Sequence, residues 1–67
     1  MANIIVDLRN EMTRVRKILT RLSPERRRLA SEIVRYADEN IALDSHEGMK
    51  ESLTDLQEIQ VKPEAPV

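Results

Sequence analysis

Apolar residues recur along residues 5–22 in alternating steps of three and four: Ile5, Leu8, Met12, Val15, Leu19 and Leu22. This is the a/d series of a helix lying along another helix. Met1 extends the series backwards, and Ile4 and Ile18 widen it at g. On the other side of the same helical wheel stand Arg9, Arg14, Arg16, Lys17 and Arg21, with Asn10, Thr13 and Thr20 among them. Residues 2–22 therefore read as a first amphipathic helix. A second copy is the expected cover for its apolar edge, and in a parallel pairing Glu11 would face Arg16 of the other chain. A competing signal sits in residues 3–8, where the β-branched run Ile4-Ile5-Val6 also suits a short strand.

Ser23-Pro24 ends that pattern. Serine is a strong N-cap and proline suits the first helical turn, where its missing N–H is not needed. Pro24 also biases Ser23 away from helical dihedrals. A second helix over residues 24–43 follows, and the short turn predicts an antiparallel hairpin. Its apolar residues, Leu29, Ala30, Ile33, Val34, Tyr36, Ala37, Ile41 and Leu43, cover nearly half the circumference. A face that broad touches two neighbours. Asn40 falls inside the arc but close to the helix end, where partial solvation is the expected state; a register-fixing core amide is the competing one. Behind the arc, Arg28, Glu32, Arg35 and Glu39 alternate in sign at helical spacing, the pattern of a salt-bridged solvent face.

Asp44 with Glu47 three residues later resembles a capping box, and Gly48 lowers helical propensity nearby. A weaker third helix is expected over residues 45–60, with Met49, Leu53, Leu56 and Ile59 as a narrow apolar stripe. Residues 61–67 contain two prolines and no periodic pattern, and read as a disordered tail. The predicted organisation is thus all-α: one helical domain over residues 1–60, built on a hairpin of two long helices with a weaker C-terminal third, dimeric as a bundle or coiled coil.

Composition sharpens the expectation of a dimer. A chain of 67 residues buries only about 60% of its unfolded surface and needs reinforcement. With no cysteine disulfides cannot supply it, so a partner subunit is expected, in the reducing cytoplasm. No run is long and apolar enough for a membrane span or a signal-peptide core. The net charge of −1 hides a division: nine basic residues against three acids between Arg9 and Arg35 (+6), then eight acids against two lysines from Tyr36 onward (−6), with Asp7 adding the last −1. An anionic partner for the first half, or attraction between the halves, would use it.

Chemistry is sparse. One histidine, no cysteine, and serines on caps or polar faces suggest no nucleophile–base pair. His46-Glu47 lacks a second histidine and reads as a solvated turn rather than a metal site. The expectation is no enzyme, no metal, no cofactor and no small-molecule substrate. The cationic set Arg9, Arg14, Arg16, Lys17 and Arg21, extended by Arg26 and Arg27 at the hairpin tip, is the one feature that suggests nucleic acid. No aromatics interleave with it for base stacking.

Two known layouts could use that set. A hairpin paired with its copy is similar in layout to the small RNA-binding hairpin dimers of the plasmid repressor-of-primer type. The alternative resembles a ribbon–helix–helix repressor, with a strand over residues 3–8 and helices over 10–22 and 24–40; the similarity lies in Ala30-Ser-Glu-Ile-Val-Arg-Tyr-Ala37. That resemblance implies Asn3, Ile5, Asp7 and Arg9 facing DNA, with Ile4, Val6 and Leu8 buried. Ser23-Pro24 replaces the glycine-containing turn of that family. The reading ranked first is a non-catalytic regulatory or adaptor protein that self-associates through Ile5, Leu8, Met12, Val15, Leu19 and Leu22. It would bind a protein through the face of Leu29, Ile33, Tyr36, Ala37 and Ile41. Nucleic-acid binding is the alternative.

Overall fold

The computed structural model describes residues 3–61 and builds them from three helices: α1 (Ile4–Ile18), α2 (Pro24–Ala42) and α3 (His46–Glu58). No strand occurs among the described residues. Asn3 stands in extended conformation as N-cap, its side chain accepting from the Ile5 N–H at 2.9 Å. That cap overrides the β-branched signal, and residues 4–8 are helical, so the strand and the ribbon–helix–helix layout built on it are corrected.

α1 ends four residues earlier than the apolar series implied. A single 3-10 turn, Leu19–Arg21, tightens the chain before Leu22 becomes extended. Ser23 caps α2 as expected, accepting from the Arg26 N–H at 3.4 Å, with Pro24 in the first turn.

The α2–α3 link is a Schellman motif rather than a capping box. The Asp44 N–H donates to the Ile41 carbonyl and the Ser45 N–H to the Asn40 carbonyl. Asp44 takes the left-handed conformation that motif requires, at φ 53°. The cap of α3 is Ser45, which accepts from the Gly48 N–H at 3.3 Å.

The third helix is not a loose appendage. It packs on both α1 and α2 more extensively than they pack on each other. It places Met49, Leu56 and nearby Ile59 in the core beside Leu8, Met12, Val15, Leu22, Ala30, Val34 and Ala37. Val61, assigned to a tail from sequence, is half-buried against that core. The rest of the expected tail, and Met1, lie outside the described residues.

Asn40 is where the structure departs most from expectation. It is 5% exposed, because α3 crosses α2 at this point. Its Nδ2 donates to Ser52 Oγ at 3.3 Å, and the Ser52 hydroxyl donates to the Gly48 carbonyl at 2.9 Å. A Cβ on Gly48 would overlap the Asn40 amide, so the chain's only glycine is what lets the two helices approach. Each buried side-chain polar atom among the described residues has a partner, as a buried polar cluster must if it is to be tolerated.

Candidate interaction surface

The apolar series on α1 is buried within one chain. Leu8, Met12, Val15 and Leu22 are core residues, and Ile5 and Leu19 pack partly buried against them. The cover that periodicity assigned to a second copy comes from α2 and α3.

The face of the second helix divides. Ala37 is fully buried, while Ile33 and Ile41 are half-buried against the core. Leu29 and Tyr36 are 51% and 43% exposed, and Leu43, just past the end of α2, is 76% exposed. These three recur at seven-residue intervals, so they fall within about 20° of one line and span roughly 21 Å of helix. Leu43 was absent from the expected binding face; the seven-residue recurrence was the signal that could have found it. On α1, Val6 is the large exposed apolar residue, and it stands alone.

Helical register fixes what flanks the line. Asn40, about 40° from Tyr36, meets Ser52 of α3. Asp38, on the far side of the core face, meets Arg16 of α1 at 3.5 Å. The exposed line therefore lies on the α3 side of α2, outside their contact. On its other edge run Glu32 and Glu39, with Glu25 extending the row to the start of α2. Gly48 and Ser52 mark the edge of α3 that meets α2, whereas Gln57 and Gln60 line a cleft with Glu11 and Arg14 of α1. Asp55 and Glu51 are the next exposed positions outward on the α2 edge.

The cationic set does not form one stripe. Arg14 Nε pairs with Glu11 at 2.8 Å, and its Nη2 donates to the Leu56 carbonyl at 2.7 Å, in the last turn of α3. That carbonyl also accepts from the Ile59 N–H at 3.1 Å, so the guanidinium adds a second donor to it and complements the helix dipole. Arg27 donates to the Leu19 and Leu22 carbonyls at 3.0 and 3.2 Å, closing the turn between α1 and α2. Arg16 faces Asp38. Arg9, Lys17, Arg21 and Arg26 stay outside these contacts, but Arg9 and Lys17 lie about 80° apart around α1, and Arg21 stands in the 3-10 turn beyond it.

Glu11 and Arg16, expected to meet across a dimer, are each engaged within the chain. Among the described residues those two pairs are the ion pairs within 4.0 Å. The alternating Arg28, Glu32, Arg35 and Glu39 are thus not bridged at that distance, and the glutamates of α2 carry no close cation.

Among the described residues no three His, Cys, Asp or Glu side chains are grouped to hold a metal ion. No helix among them is long and apolar enough to cross a membrane. His46 opens α3 as an exposed residue. No family model matches the chain, and neither the curated proteins nor the solved structures contain a match.

Proposed function

We propose that this chain is a non-catalytic cytoplasmic regulatory or adaptor protein that docks a protein partner on the outer face of α2. The observation that carries this reading is the exposed line Leu29, Tyr36 and Leu43, spaced as the seam of a helix pair. Three large apolar side chains at one helical register are an unfilled half-interface, whereas scattered exposed leucines would mean little. Self-association, expected from the α1 series, loses that motive because α3 covers the same edge.

Magnitudes set what the partner must add. Burying the exposed remainder of three such side chains gains about 3–5 kcal/mol. Association costs roughly 4–15 kcal/mol in lost freedom and ordering. The line anchors a partner but does not hold it alone, so contacts on its flanks must contribute.

A photo-crosslinking residue at position 36, compared with one at exposed Asn10, tests this reading. The expected result is a discrete crosslinked protein at 36 that disappears when Leu29 and Leu43 become serine. Equal labelling at both positions, or none, refutes it.

A further inference from the structure

Resting on that reading, we propose that the partner of the α2 face is a cationic amphipathic helix, one whose apolar anchors are bordered by lysine or arginine. Acidic side chains flank the exposed line on both sides of Tyr36. Glu25, Glu32 and Glu39 recur at the same seven-residue interval as Leu29, Tyr36 and Leu43. They run within about 60° of Tyr36 around the helix. Across the line stand Glu51 and Asp55 of α3, both exposed. None of these five lies within 4.0 Å of a cation among the described residues. Arg28 and Arg35 sit farther round α2, about 80–100° from Tyr36, and Arg26 stands about 80° round the other way, in the first turn of α2.

A helix seated on Leu29, Tyr36 and Leu43 therefore places its own flanking positions against carboxylates. Cations there gain from both sides, and anions are repelled by both. The same argument excludes nucleic acid and anionic lipid as occupants of this face.

A second copy fits poorly. In an antiparallel pairing of α2 with itself about Tyr36, Leu29 meets Leu43, but Glu32 and Glu39 of one copy stand level with Glu39 and Glu32 of the other. In a parallel pairing the glutamate row faces Ala30, Ala37 and Asp44, which include no cation. The outer face of α1 has cations but offers only Val6 as a large exposed apolar residue, so it cannot fill a three-anchor line.

The test uses the full chain and two synthetic helical peptides with one shared apolar stripe, flanked by lysine in one and by glutamate in the other. Tyr36 is the chain's only aromatic residue, so its emission reports directly from the face, and amide chemical-shift mapping locates the site. The lysine peptide should bind at least about tenfold more tightly at low salt, and lose most of that margin at 0.5 M salt as screening shortens. Shifts should be confined to Leu29, Ile33, Tyr36, Leu43 and the acidic flanks. Converting Glu32 and Glu39 to lysine should remove most of the preference, with circular dichroism unchanged because both are exposed.

Equal binding of both peptides on this face overturns the cationic partner and leaves the docking face standing. Binding elsewhere, or no binding by a chain that sediments as a monomer, overturns both. A chain that sediments as a dimer, and as a monomer after Tyr36→Asp, assigns the face to a second copy and also overturns the cationic partner.

Discussion

α1 and α2 each carry large apolar residues at heptad spacing, yet the two sets meet opposite fates. Leu8, Met12 and Val15 are sealed beneath α3, while Leu29, Tyr36 and Leu43 stay open to water. Spacing alone states that a helix edge wants a neighbour. Which chain supplies the neighbour depends on where a third helix is laid, and α3 lies against one series and beside the other. A seam of this kind is evidence of burial first and of association only after the intramolecular partners have been counted.

The sharpest way to break this contrast is Leu56→Ala. Leu56 is fully buried, so the substitution should cost about 2–5 kcal/mol in a denaturant titration. If α3 is the cover for α1, the midpoint should not depend on protein concentration; a concentration-dependent midpoint would reassign the cover to a second chain.

Gly48→Ala comes next. Alanine favours the helix by about 1 kcal/mol. Displacing the Asn40 amide from Ser52 and straining the contact should cost about 1–3 kcal/mol, so a net loss is expected. Adding Asn40→Ala should recover part of it. Simple additivity of the two substitutions would show that the close approach is not the cause.

Asp44→Gly should raise stability by up to about 1 kcal/mol, since glycine adopts the left-handed cap without a Cβ penalty; a loss would indicate that the Asp44 side chain matters. Smallest of all, Leu43→Ser should stay within about 0.5 kcal/mol of the parent, because that side chain is 76% exposed and lies past the end of α2. A drop of 2 kcal/mol or more, as for Leu56→Ala, would mean that the open series is covered in solution.

These expectations also show where reading the sequence succeeds. Ser23-Pro24 was legible because capping is local chemistry: a hydroxyl, the N–H three residues on, and a ring that needs no donor. The apolar edge of α1 was legible as buried, but not as covered by α3, because residues 46–58 lie far from it in sequence. Arg14 and Arg27 counted toward a nucleic-acid stripe by residue type. Their carbonyl partners at Leu56, Leu19 and Leu22 exist only once the helices dock. Asn40 was misjudged for the same reason, since its position near a helix end says nothing about what crosses there. The open line on α2 was half visible. Leu29 and Tyr36 belonged to the expected face, but Ala37 on the same face is core, and sorting them needed the path of α3.

The Asn40–Ser52–Gly48 contact has one more effect. Aliphatic side chains are interchangeable to a neighbouring helix, so a purely greasy α2–α3 junction could slide by a turn and still stay dry. One amide that must find one hydroxyl acts as a vernier mark and selects a single longitudinal setting. That setting decides which carboxylates of α3 stand level with Tyr36. A buried hydrogen bond thereby calibrates the outside of the molecule.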